Sequence, residues 1–158
     1  MLLDGKEVTD REGNPVRDPS ELETDAEWVR IRLAGKPVEG QIKTPDDIIS
    51  DLEWAKYLAA RSAVIIRDAD RTLRALQRLY IAAELAVMKK SSAKSIEERK
   101  AEAQIELPEL FAAVEEGEIV FEFAKRVAKS VESSTSAIQT QSKQVEITYH
   151  LAGSGRGQ

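Results

Sequence analysis

The chain has 158 residues, 32% of them charged and 42% hydrophobic, with a formal net charge of −5. That suits one domain, or a domain with an arm. It contains no cysteine and one histidine, His150, so disulfides, thiolate metal sites and a histidine metal cluster within one chain are excluded. No apolar run reaches the roughly 18 residues of a membrane span, and the amino terminus lacks the apolar stretch of a signal peptide.

Residues 1–43 read as an acidic arm. Four of the five prolines and four of the eight glycines lie within the first 45 residues, and residues 1–50 carry the whole net charge. Asp4-Gly5 and Gly13-Asn14-Pro15 are turn signals. The alternation of apolar and cationic residues from Trp28 to Leu33 predicts a short half-buried strand, after which Gly35, Lys36 and Pro37 turn the chain. The arm is expected to hold one or two short strands and to order against a partner or a second subunit.

A long helix is predicted over residues 45–90. Thr44 is a suitable N-cap and Pro45 fits the first helical position. Asp46 and Asp47 favour the positive end of the helix dipole. Ile65, Ala69, Leu73, Leu76, Tyr80 and Ala83 make an apolar stripe along it. Arg67, Arg71, Arg74 and Arg78 fall at i, i+4, i+7 and i+11, which places all four on one other face.

The second helical stretch starts at Ser95, where Ser95 and Glu98 match a capping box. Pro108 predicts a kink or break over residues 104–108. Gly117 costs about 1 kcal/mol of helix propensity relative to alanine. Val120, Ala124, Val127, Val131, Ser134, Ile138, Gln141 and Val145 alternate in fours and threes, the spacing of a coiled-coil seam. Residues 153–158 read as a flexible tail.

The expected fold is therefore all-α: an acidic arm over 1–43, a long antiparallel helical hairpin with a kinked second helix over 44–152, and a tail. Two helices alone bury little surface. A third or fourth helix is needed to cover the seam, and the economical source is another copy of the chain. The eight seam residues are thus the expected homo-oligomer interface.

Basic residues come in three groups. The first is the arginine stripe. The second is Lys89, Lys90 and Lys94, with Arg99 and Lys100, at the hairpin tip. The third is Lys125, Arg126 and Lys129, with Lys143 further along. Arginines on one face can grip phosphates bidentately and stack on bases. The bland alternative is a solvated face paired with Asp68, Asp70 or Glu84. Six hydroxyl side chains between Ser130 and Thr140 either donate to phosphates or allow close helix packing.

Residues 101–122 contain seven glutamates and no basic residue. They lack the Glu-x-x-His pairs of a carboxylate metal site and read as solvated, or as partners for a neighbouring subunit's arginines. Phe111, Phe121, Phe123 and Tyr149 read as core or interface. No phosphate loop, nucleophile elbow or catalytic triad is present, so neither an enzyme nor a cofactor is expected.

Ala55-Lys56-Tyr57-Leu58 near the start of the first helix, Thr72-Leu73-Arg74 with the Ala-rich run after it, and Ser130, Ala137-Ile138 and Lys143 in the second together resemble the UvsY-type recombination mediators of tailed phages. The resemblance spans residues 52–152. It implies a small all-helical ring oligomer that binds single-stranded DNA and helps load a RecA-type recombinase onto strands covered by single-strand-binding protein. It also implies a cytoplasmic location, in the host if the protein is viral, and no membrane partner. The basic positions that family carries late in its first helix fall at Glu84 and Ala86 here, so the DNA-binding role passes to the earlier arginines. The arm is longer than the family pattern, and Pro108 is an addition to it. The reading from another class is a structural scaffold or adaptor that binds only proteins.

Overall fold

The computed structural model describes residues 1–3, 5–35 and 43–154, and side chains as far as His150. In chain order the elements are β1 (Leu2–Leu3), β2 (Lys6–Glu7), α1 (Pro19–Leu33), α2 (Pro45–Lys90), α3 (Ile96–Glu106) and α4 (Pro108–Ser154). The fold is all-α, with a single two-stranded antiparallel ribbon at the amino terminus among the described residues.

Local chemistry sets the helix starts. Thr44 and Asp47 form a reciprocal capping box, with the Asp47 amide donating to Thr44 Oγ1 at 3.2 Å and the Thr44 amide donating to Asp47 Oδ2 at 2.8 Å. The hydrogen bond with the Thr44 side chain is the main cause holding the Asp47 carboxyl below its ordinary value. Ser95 and Glu98 repeat the arrangement at the start of α3. Each box satisfies two backbone donors that the first helical turn leaves without partners.

Pro108 produces a break. α3 ends at Glu106, and Leu107 leaves the helical region with φ −121° and ψ 47°. Its amide closes α3 onto the Ala103 carbonyl at 2.9 Å, and its own carbonyl accepts the first bond of α4 from the Phe111 amide at 3.0 Å. Proline at the first position of α4 therefore removes no bond that a helix would have made.

The strand expected over residues 28–33 is a helix. Asp18 caps α1 by accepting from the Ser20 amide at 3.0 Å, and Pro19 takes the first helical position. Leu22, Ala26, Val29 and Leu33 recur at i, i+4, i+7 and i+11, so one face of α1 is apolar. Leu22, Ala26 and Val29 are buried, while Ile31, which a strand would have turned inward with Val29's neighbours, is exposed.

This helix changes where the third member of the bundle comes from. α1 packs on both α2 and α4. Ala26 and Val29 join Leu58, Ile65, Ala124, Val127 and Val131 in one cluster. Leu22 joins Ala69 and Val120 in another. The upper seam residues Val120, Ala124, Val127 and Val131 are thus covered within the chain and not by another copy. Ser134, Ile138 and Val145 stay half-buried and Gln141 is exposed, with Ser134, Ile138 and Gln141 beside the carboxyl-terminal end of α1.

The arm orders on its own chain. Val8 and Val16 are buried against Ala75, Leu76 and Ala113, and the amino-terminal ammonium donates to the Val16 carbonyl at 3.1 Å. Gly117 lies where α4 crosses Leu73 and Leu76 of α2. A Cβ there would stand 3.3 Å from Leu76 Cδ1 and 3.7 Å from the Leu73 Cα, so a methyl needs only a small shift of the flexible Leu76 end, while the close Leu73 backbone leaves little room for a larger side chain. The carboxyl-terminal residues 155–158, and Lys36 and Pro37 of the turn expected after α1, lie outside the described residues; residues 153 and 154 belong to α4.

Candidate nucleic-acid interface

The arginine stripe lies on α2 away from its apolar face, where Ile65, Ala69, Leu73 and Leu76 are buried. It borders a shallow cleft of about 370 Å³, lined by Asp10, Arg11, Glu12, Arg67, Asp70, Arg71, Arg74 and Arg78. The arm loop forms one wall and α2 the other. All four sequence-predicted arginines are brought together here.

Three of the four carry a partner. Arg67 Nη2 meets Asp68 Oδ1 at 2.9 Å, and Arg74 Nε meets Asp70 Oδ2 at 2.8 Å. The Arg67 and Arg74 side chains are nonetheless 69% and 72% exposed. The Arg74 pair, whose aspartate is 36% exposed, contributes little and is screened by salt, so a denser anion can compete for it, whereas the Asp68 side chain under Arg67 is only 15% exposed. Arg78 forms no ion pair among the described residues.

Arg71 is held differently. Its guanidinium donates to Asp10, whose side chain is only 10% exposed. Asp10 Oδ1 also accepts from the amides of Glu12 and Asn14, each at 2.9 Å. Gly13, at φ 83°, supplies the left-handed residue that this turn requires. Burial pushes the Asp10 carboxyl up, but the bonds from the Asn14 amide, the Arg71 guanidinium and the Glu12 amide outweigh it and bring it down to about 2.

The glutamates of residues 102–122 do not take up these arginines. Glu115, Glu116 and Glu118 are exposed. Glu118 accepts from Gln77 at 3.3 Å and Glu122 pairs with Lys125 at 2.7 Å. No group of carboxylates and histidine among the described residues is arranged to hold a metal ion.

The other basic groups are not gathered into the cleft. Lys89, Lys90 and Lys94 are exposed at the far end of α2, where the lysines complement the helix dipole. Lys90 is about 18 Å along the axis from Arg78. Lys125, Arg126 and Lys129 are exposed on α4, off the face defined by buried Val120, Ala124, Val127 and Val131. Lys143 is exposed nearer the other end of α4. The hydroxyls of Ser130, Ser133, Thr135, Ser136 and Thr140 all donate to the carbonyl four residues back. They are satisfied within their own helix, which neither of the two sequence readings anticipated.

A second cluster was not among the sequence candidates. Asp25 of α1 accepts from Arg17 and from Arg61, each at 2.9 Å. The Arg61 guanidinium also lies 4.9 Å from the Trp28 ring centre, and that of Arg32 lies 5.4 Å from it. Trp28 meets Tyr57 edge-on, and Tyr57 stacks on Trp54. The available signal was the i, i+3, i+7 spacing of Trp54, Tyr57 and Arg61. It was obscured because residues 28–33 read as a strand in a loose arm.

No protein-family profile matches this chain, and no curated protein or solved structure matches it either. Among the described residues no helix is long and apolar enough to cross a membrane.

Proposed function

We propose that this protein is a non-enzymatic single-stranded-DNA-binding factor that works as a homo-oligomer in recombination or replication. The observation that carries the reading is the cleft in which Arg67, Arg71, Arg74 and Arg78 converge on one face of α2. Two of them are largely exposed, and Arg78 has no ion-pair partner among the described residues. A row of guanidinia can follow a phosphate backbone with little regard to sequence. The resemblance to UvsY-type mediators adds the role of helping to load a RecA-type recombinase onto strands held by single-strand-binding protein.

The lower seam supports the oligomer. Ser134, Ile138 and Gln141 border, with Trp54 and the end of α1, a cleft of about 460 Å³ between α1, α2 and α4. Further along, Val145 and Tyr149 face Ile48 and Ile49 across another of about 550 Å³. A second copy covering Ile49, Val145 and Tyr149, and leaving the Trp54 cleft open, would bury apolar side chains now in water, and an oligomer would multiply weak arginine contacts by avidity.

The other reading is a scaffold or adaptor that binds proteins only. It is favoured by the pairing of Arg67, Arg71 and Arg74 with aspartates of the same chain. A fluorescence-anisotropy titration with a labelled single-stranded oligonucleotide at several salt concentrations separates the two. Four arginine–phosphate contacts predict a slope of log K against log salt of about −3. Absence of binding even at low salt would leave the scaffold.

A further inference from the structure

We infer that Trp54 and Tyr57 form a base-stacking platform beyond the amino-terminal end of the arginine stripe, turned about α2 from it by about 60° at Tyr57 and about 120° at Trp54, so that the ligand is a nucleic-acid strand with unpaired bases that wraps partly round the helix. The inference rests on the single-strand-binding reading and specifies which part of the strand is recognised and where.

The two rings lie 5.3 Å apart at an interplanar angle of 20°. Trp54 is 44% exposed and Tyr57 48%. Large aromatic side chains are normally buried or fixed by contacts on both faces. Here a stacked pair is left open at the surface of a helix whose next turns carry cations. Tyr57, Val64, Arg71 and Arg78 recur every seven residues. At about 100° per residue they follow one slowly drifting line along α2, and Val64 is also exposed. The line from Tyr57 to Arg78 is about 32 Å long, the length of about nine nucleotides at the spacing of one stacked strand.

Cations reach the platform from the Tyr57 side, while Trp54 borders a cleft that also holds Leu33, Leu58, Ile138, Lys43 and Asp51. Arg61 lies one turn beyond Tyr57, stacks on Trp28 and shares Asp25 with Arg17, so two guanidinia meet one carboxylate. The Arg61 Nε is buried with no hydrogen-bond partner among the described residues. Phosphates would follow the cations from Arg78 to Arg61, and bases would turn onto the indole and phenol rings. Every base has a π-face, so such a platform discriminates single from double strands with little sequence preference.

The test uses the full-length protein and two probes of equal length, an oligothymidylate and an oligomer of abasic deoxyribose phosphate. Binding is followed by anisotropy and by intrinsic tryptophan fluorescence. The thymidylate is expected to bind at least fivefold tighter than the abasic strand and to quench fluorescence, with the quenching lost in Trp54→Phe. The double variant Trp54→Ala, Tyr57→Ala is expected to lose that preference while holding the abasic strand as the native protein does, which also verifies its fold. Equal binding of both probes without quenching overturns the platform and leaves the arginine stripe as the binding element. Failure to bind either probe at low salt overturns the platform together with the function on which it rests.

Discussion

Asp10 and Arg71, 61 residues apart in the chain, are joined by an ion pair that ties the amino-terminal arm to the middle of α2. The same contact places a carboxylate on one of four arginines proposed to hold phosphate. Asp10→Asn is therefore expected to raise affinity for single-stranded DNA several-fold at low salt, because Arg71 gains freedom to meet a phosphate. Anisotropy titration of the variant beside the native protein checks this; lower affinity would mean that Asp10 orients Arg71 for binding.

The bonds that hold Asp10, from the Asn14 amide first and then from Arg71 and the Glu12 amide, also set a pH dependence. The Asp10 carboxyl titrates at about 2 in the fold, below its ordinary 3.8. A lowered carboxyl contributes stability that is fully present above about pH 4 and is lost as pH falls towards 2. Thermal unfolding of Asp10→Asn should show lower stability than the native chain at pH 6, with the difference closing between pH 4 and pH 2. A difference that persists unchanged at pH 2 would assign the effect to the turn geometry.

Arg74 pairs with Asp70, whose side chain is 36% exposed, and Arg78 forms no ion pair among the described residues, so both can be removed with little effect on folding, whereas Arg67 holds Asp68, whose side chain is only 15% exposed. The double replacement of Arg74 and Arg78 by glutamine is expected to reduce the salt slope of single-strand binding by about 1.4 and to leave the far-ultraviolet circular dichroism and melting temperature nearly unchanged. An unaltered slope would remove these residues from the interface.

At Gly117 two effects oppose one another. Alanine gains about 1 kcal/mol of helix propensity, but its methyl meets the flexible end of Leu76 at 3.3 Å. Gly117→Ala should be close to neutral. Gly117→Leu should destabilise by about 1–3 kcal/mol or more, because the larger side chain forces α4 off the Leu73 backbone. Chemical denaturation measures both, and a stable leucine variant would show that the two helices can separate at this point without loss.

The lower seam predicts the oligomeric state. Val145→Asp should convert the proposed oligomer to a monomer in light scattering. The Val145 side chain is half-buried beside Ile48 and Ile49, and a charge there resists burial against a second copy. Leu22→Ala serves as the contrast: Leu22 is fully buried between α1 and the hairpin, and the variant should lose about 2–5 kcal/mol of stability.

Short-range chemistry was legible in the residues. The Thr44 and Ser95 caps, the start at Pro45, the break at Pro108 and the common face of the four arginines follow from hydrogen bonding and helical periodicity within a few residues. The extent of α2, residues 45–90, needed nothing more. Residues 28–33 carry two periodicities at once. Alternation fits a strand, while Leu22, Ala26, Val29 and Leu33 fit a helix, and only the tertiary structure decides between them. A strand there would need a neighbour to satisfy its backbone, whereas a helix satisfies its own and buries Leu22, Ala26 and Val29 on the hairpin. That choice then decided which seam residues are covered, brought Trp28 against Arg61 and Tyr57, and fixed the arm so that Asp10 reaches Arg71. Each of these contacts joins residues far apart in sequence, and periodicity within one segment carries no information about which distant segment will cover it.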